Sequence, residues 1–218
     1  MGKKIAVVLA GCGHKDGTEI TEAVSLMISL SQAGARLTFF APDEDFVAKN
    51  FLTGEAEKEK RNVMIESARL TRGQMNDLAS LVASDFDGLA LPGGLGAALN
   101  LSSWATQGSA CTVHEDLARA ITDFHAQSKP IAAICLAPTL IAKVLGKKKI
   151  TVTIGKDPET ISEIQRTGAI HEACPVDDYI SDRLHKIVTT PAYMDEDAKP
   201  HEVFKGIAGL VREFIEMA

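Results

Sequence analysis

The chain lacks the marks of several protein classes. Its four cysteines, Cys12, Cys111, Cys135 and Cys174, form no CxxC pair, which argues against a disulfide framework or a zinc site and points to free thiols in a reducing compartment. No apolar stretch approaches the ~20 residues of a membrane-crossing helix. Met1 to Lys4 lead straight into the apolar run Ile5 to Ala10, which Gly11 ends before it reaches the length of a signal-peptide core. The expectation is a cytoplasmic protein, unless a transit peptide has been removed. Positive charge is scarce as well. The 23 Lys and Arg against 29 Asp and Glu give a net charge of -6, which argues against nucleic acid as a partner, because phosphate-backbone binding rests on clustered Lys and Arg. The basic triplet Lys147 to Lys149 suits a solvated turn.

What is present is an ordinary globular composition. The 218 residues are 45% hydrophobic and 24% charged, enough for one well-buried domain, residues 1–218, rather than two. Strand and helix patterns alternate along it. Ile5 to Leu9 is expected as a strand, Ile20 to Gln32 as an amphipathic helix stopped by Gly34, and Arg36 to Ala41 as a second strand. Pro42 to Ser84 is less regular and holds a solvated charge run, Glu55 to Arg61. Strands are expected again at Leu89 to Leu91, Ile131 to Ile134, Thr151 to Ile154 and Ile187 to Thr189. Helices are expected at Glu115 to Ala126, Pro138 to Leu145 and Val203 to Met217. Such alternation predicts an α/β fold, a mostly parallel sheet with helices on both faces, whose ligands gather at the carboxyl ends of the strands.

Three of those strand ends carry unusual residues: Gly11 to Gly17, Pro92 to Gly96, and Cys135. The short apolar run before Cys135 and Pro138 just after it place the thiol where a buried strand hands over to a helix. There the helix dipole favours the thiolate and is expected to lower the pKa from ~8.5; the competing reading is a small core hydrophobe. The Gly11-x-Gly13 pair invites a dinucleotide-binding reading, but the third glycine is Gly17, one residue late, and Asp43 is too distant for the ribose acid. The Pro92 to Gly96 loop suits either a phosphate cradle or an oxyanion hole.

The segments GCGHKDGTEITEA, RNVMIESARLTRG, LPGGLGAALNLS, AAICLAP and KIVTTPAYM together resemble the ElbB glyoxalase-like family. That family lies in the PfpI superfamily, within the class I glutamine amidotransferase-like fold, and is related to the Parkinson-disease protein deglycase. The resemblance spans essentially the whole chain. It implies a flavodoxin-like three-layer sandwich, a nucleophile elbow at Cys135 and a glutamate from the first helix bonded to that cysteine. Both Glu19 and Glu22 stand near the start of the helix. Counting back from Gly34, Glu22 fits the family position, and Glu19 reads better as a first-turn acid stabilising the helix N-terminus. Backbone N–H groups of Gly93, Gly94 and Leu136 then match the oxyanion donors.

The chain departs from the superfamily in having no histidine about twenty residues after the cysteine. No His-x-Glu follows Cys135 either, since His171 and His201 are each followed directly by an acid, so a glutaminase triad is not expected. His14 and Cys12, in the first strand-end loop, are candidates for lining the pocket. His114, His125, His171, His185 and His201 read as surface or helix-end residues. Arg69 and Arg72 read as salt-bridge residues, with closure over the site as the alternative.

The activity implied is a cofactor-independent, glutathione-independent glyoxalase, a slow lyase of hydro-lyase type that turns glyoxal into glycolate without metal or cofactor. It is compatible with a protein deglycase and with a homodimer. Loops at three strand ends are expected to crowd the thiol and favour small aldehydes. Two other classes fit the same residues: a redox- or stress-sensing, chaperone-like protein using a reactive cysteine without turnover, and a flavin or nucleotide binder of the same fold.

Overall fold

The computed structural model describes residues 2–218; Met1 lies outside them. In chain order the elements are β1 (Lys4–Val8), α1 (Ile20–Gln32), β2 (Arg36–Ala41), β3 (Asp45–Lys49), β4 (Ala56–Asn62), α2 (Val63–Ser67), β5 (Asn76–Asp77), β6 (Gly88–Leu91), α3 (Gly96–Leu99), α4 (Trp104–Gln107) and α5 (Glu115–Ala126). They continue as β7 (Ile131–Ile134), α6 (Pro138–Leu145), β8 (Thr151–Val152), α7 (Pro158–Arg166), β9 (Ile170–His171), β10 (Ile180–Asp182), β11 (Ile187–Thr190) and α8 (Pro200–Met217).

Seven strands form one sheet in the order β10-β11-β7-β6-β1-β2-β5, parallel except for β10, which runs antiparallel to β11. β6, β7 and β11 are buried along their whole length, and β1 is buried beyond Lys4. That is why they read as continuous apolar runs rather than alternating ones: a parallel sheet is covered on both faces. Helices α1 and α8 pack together, and α8 lies on β7 and β11; α5 and α6 pair against β6 and β7. The result is an α/β flavodoxin-like sandwich. No helix among the described residues is long and apolar enough to cross a membrane.

The local devices are ordinary. The Glu19 side chain caps α1 by accepting from Glu22 N (2.7 Å), and Gly34, at φ +74°, lets the chain leave the helix. His114 caps α5 through Nδ1. Lys149 takes the left-handed conformation, φ +63°, as the last residue of the basic turn.

Two expectations need correction, and one helix has to be added. The charge run Glu55 to Arg61 is solvated, but most of it is strand β4, because it pairs antiparallel with β3 in a hairpin outside the main sheet. Thr151 to Ile154 yields only two strand residues, which pair with β9. The backbone then leaves the ladder, since Thr153 N donates to Thr189 Oγ1 (2.9 Å) and Gly155 turns at φ +85°. Helix α7 went unread because it buries Ile164 alone; Asp157 caps it by accepting from Thr160 N at 2.8 Å.

Gly88 opens β6 beneath α8, and a Cβ there would lie 2.6 Å from Phe214 Cζ. Phe214 is itself fully buried. Gly88→Ala should therefore overpack the core and cost ~1–3 kcal/mol, whereas Phe214→Ala should cost ~3–5 kcal/mol by leaving a cavity. In the double variant the added methyl enters that cavity, so the two costs should sum to more than the double variant loses in urea denaturation. Strict additivity would show that ring and strand do not press on each other.

Candidate active site

Cys135 follows β7 directly and adopts φ +60°, a left-handed conformation that costs a non-glycine residue ~1–3 kcal/mol and persists only where its surroundings impose it. Here they do. Its N–H donates to Thr190 O (2.9 Å) at the end of β11, β7 is paired on both sides, and α6 begins three residues on with Pro138. The turn aims the thiol at the carboxyl edge of the sheet, where the loops after β1, β6 and β11 converge.

Gly93 shows how closely they converge: a Cβ there would lie 2.5 Å from Cys135 Cβ and 2.8 Å from Glu22 Oε2. Any side chain would separate thiol from carboxyl. Gly94, at φ +95°, would drive a Cβ into Gly17 O. The first loop is tied to this one through Leu95 N to His14 O (2.8 Å) and Gly96 N to Gly17 O (2.9 Å). Asn100, which follows the second loop, braces the first by donating to Ala10 O (2.9 Å) and Asp16 O (2.8 Å); in sequence it was legible only as part of LPGGLGAALNLS.

Glu22 is wholly buried. Oε2 accepts from Gly93 N (2.9 Å), Oε1 from Tyr193 N (3.3 Å), and the carboxyl meets the Cys135 thiol. Burial pushes its pKa up to about 8, the Glu19 carboxylate adds to the rise, and the hydrogen bonds from Cys135, Tyr193 and Gly93 oppose it. Glu22 is thus a neutral carboxyl at pH 7, with a proton to share with the sulfur. Glu19 carries the cap, as expected, and lines the same cavity.

Two expectations fail at this point. The thiol is not lowered: burial first, and the facing Glu22 next, push Cys135 up, against opposing N–H groups of Gly94 and Leu136. Desolvation beside a second acid outweighs the helix end. Gly93 is not a free oxyanion donor, because its N–H is held by Glu22. Gly94 and Leu136 retain that capacity, since their N–H groups face the sulfur.

A cavity of about 740 Å³ opens over the thiol, walled by His14, Glu19, Gly94, Leu95, Leu136, Thr160, Tyr193, Met194 and Glu196. His14 lines it as expected, but Cys12 does not: Gly13, at φ +120°, turns the chain between them, and Cys12 lies instead near Glu66, Arg69 and Asp16. Arg69 pairs with Glu66 (2.9 Å). Tyr193 and Met194 were legible only as part of KIVTTPAYM, while Thr160 and Glu196 carried no signal. All four cysteines are free thiols, and no group of three or more His, Cys, Asp or Glu among the described residues is placed to hold a metal ion.

The family profile described as DJ-1/PfpI matches residues 3–177. The human glutamine amidotransferase-like class 1 domain-containing protein 3, mitochondrial, is 41% identical over 98% of this chain and 83% of its own. The zebrafish ES1 protein, mitochondrial, is 36% identical over 98% and 85%. Among solved structures, an isoprenoid biosynthesis protein with amidotransferase-like domain from Ehrlichia chaffeensis superposes with TM-score 0.91 at 31% identity, over 99% of this chain and 100% of that one. Drosophila DJ-1beta shares the fold at TM-score 0.58 and 20% identity, over 99% and 95%. The mitochondrial names overturn the cytoplasmic expectation. That expectation rested on the lack of an apolar leader, whereas mitochondrial transit peptides are amphipathic and Arg-rich, so such a lack says nothing about them.

Burying Glu22 has a thermodynamic signature. Its folded pKa of about 8 stands above the ordinary 4.5, so its contribution to stability is complete below the ordinary value and is lost as pH rises toward the folded one, at up to ~1.4 kcal/mol per pH unit. Glu22→Gln should lack this slope and gain stability over wild type at pH 7 and above. Urea unfolding from pH 4.5 to 8.5 measures it; parallel stability curves for the two proteins would refute the buried neutral carboxyl.

Proposed function

The chain belongs to the DJ-1/PfpI family, and we propose that it is a cofactor-independent glyoxalase that converts glyoxal to glycolate through a hemithioacetal on Cys135. The observation that carries this reading is the wholly buried Glu22 carboxyl, held by Gly93 and Tyr193 N–H against the thiol at the floor of an open cavity. Sharing its proton with Glu22 lets the pair deliver a thiolate while the carboxyl stays beside the reacting carbons.

The chemistry runs in three steps. The ionised form of Glu22 takes the thiol proton as Cys135 Sγ adds to one aldehyde carbon and passes it to the alkoxide oxygen, held by the Gly94 and Leu136 N–H groups, which leaves Glu22 a carboxylate. Glu22, as carboxylate, takes the proton from that carbon and returns it to the neighbouring one through an enediol, leaving a glycolyl thioester. Water then cleaves the thioester, giving glycolate and the free thiol. Glutathione has no part, because the protein supplies the sulfur.

The cavity's size supports a second form of the same chemistry. A volume of about 740 Å³ is in the range of sites for drug-sized ligands and far exceeds what a two-carbon dialdehyde fills. An aldehyde adduct carried on a larger molecule, as in protein deglycation, fits it better, with glyoxal as the minimal substrate.

NMR detection of glycolate from glyoxal in thiol-free, chelator-treated buffer tests the proposal. Cys135→Ser should make none above the uncatalysed background. Glu22→Gln should lose ~10²-fold or more of wild-type turnover, the usual worth of a positioned acid-base group. Equal production by wild type and Cys135→Ser would sink the enzymatic reading and leave a thiol-based sensor in its place.

A further inference from the structure

The last step of that reaction needs a group that the buried pair does not supply. Glu22 has no exposed surface and is bonded to the sulfur, so it meets the carbons carried on Sγ but not a water in the open part of the cavity. On the open side, Glu19 is committed to the α1 cap. Burial pushes the Tyr193 phenol up, against the opposing bond to the Thr21 side chain. His14 and Glu196 remain, both exposed and lining the cavity; the His14 ring is packed against an aromatic neighbour, Phe51, and no ring nitrogen of it is bonded among the described residues. By contrast, the rings of His114, His171 and His185 are all engaged. The His14 carbonyl accepts from Leu95 N (2.8 Å), one residue from the oxyanion donor Gly94. The loop that bears the imidazole is thereby tied to the loop that bears the oxyanion donor.

The ring is also held. Phe51, at the tip of the β3–β4 hairpin, meets it edge to face with centroids 5.4 Å apart at 88°. A Cβ on Gly13 would lie 2.5 Å from Phe51 Cζ. The hairpin is fastened to this loop at two further points, Lys15 Nζ to Phe51 O (2.8 Å) and Lys49 N to Asp16 Oδ2 (2.6 Å). A hairpin that adds nothing to the main sheet thus has its tip bound to the loop that carries His14.

We propose that His14 is the general base of thioester hydrolysis and that Phe51 is its positioning residue, an inference that rests on the glyoxalase reading. Neutral imidazole takes a proton from water as the oxygen bonds to the thioester carbon, and the tetrahedral oxyanion lies on Gly94 and Leu136 N–H. The C–S bond then breaks with its electron pair going to Cys135 Sγ, the imidazolium proton restores the thiol, and the product acid releases its own proton to solvent.

The test compares wild type, His14→Ala, Phe51→Ala and Phe51→Leu. His14→Ala should lower kcat ~10²-fold and accumulate a Cys135 thioester, read after acid quench and desalting as glycolohydroxamate released by hydroxylamine. Added imidazole should restore turnover to this variant and not to wild type. Phe51→Ala should lower kcat with KM little changed, and Phe51→Leu should recover part of the loss. Wild-type turnover in His14→Ala, or a loss with no trapped thioester and no imidazole rescue, would overturn the assignment while leaving the glyoxalase reading intact. Absence of glycolate from wild type itself would overturn both.

Discussion

The contact between the Glu22 carboxyl and the Cys135 thiol is the constraint on which the rest of the site depends. It brings together four stretches of chain remote in sequence: α1 through Glu22, the loop after β6 through Gly93 N, the elbow after β7 through Cys135, and the turn after β11 through Tyr193 N. Each stretch loses its place if another moves. A buried ionised carboxylate would need a compensating cation, and none is present among the groups that shift Glu22. The arrangement holds because the group stays neutral and both oxygens accept backbone N–H bonds, so neither carboxyl oxygen is orphaned.

The sheet explains why these stretches meet. From β1 the chain steps outward to β2 and β5, then returns to lie on the other side of β1 as β6. The strand order reverses there, and the crevice at such a reversal is where open parallel sheets take their ligands. The loops after β1 and β6, which carry His14, Gly93 and Gly94, open on that crevice. β7 then adds the nucleophile beside them, and β11 closes the far side.

How far the site was legible follows from the same geometry. The bounds of β7, α6 and α1 were readable because apolar runs, Pro138 and Gly34 are local signals. Glu22 could be preferred over Glu19 only through the family register, which the burial of one and the capping bond of the other now separate physically. The Gly93 N–H looked like an oxyanion donor because sequence shows which N–H groups a loop owns and not what accepts from them. The thiol's shift was misjudged for a similar reason: the helix end is visible in sequence, but the desolvation that outweighs it belongs to the packed structure. Tyr193 touches Glu22 across 171 residues, and no periodicity records such a contact.

The site also concentrates strain. Cys135 and Ala192 both hold positive φ, at +60° and +44°, beside a buried acid whose neutrality costs stability above its ordinary pKa. These costs persist because the strands leading into them are the most fully buried of the sheet and, for β7 and β11, paired on both sides. The α1–α8 contact then fixes the helix that delivers Glu22, with Leu26, Leu30, Leu210 and Phe214 wholly buried. Relaxing any one strained element would gain local stability and release the carboxyl from the sulfur. Stability and reactivity are therefore opposed at this edge of the sheet, and the core beneath it supplies the surplus that lets the strained arrangement stand.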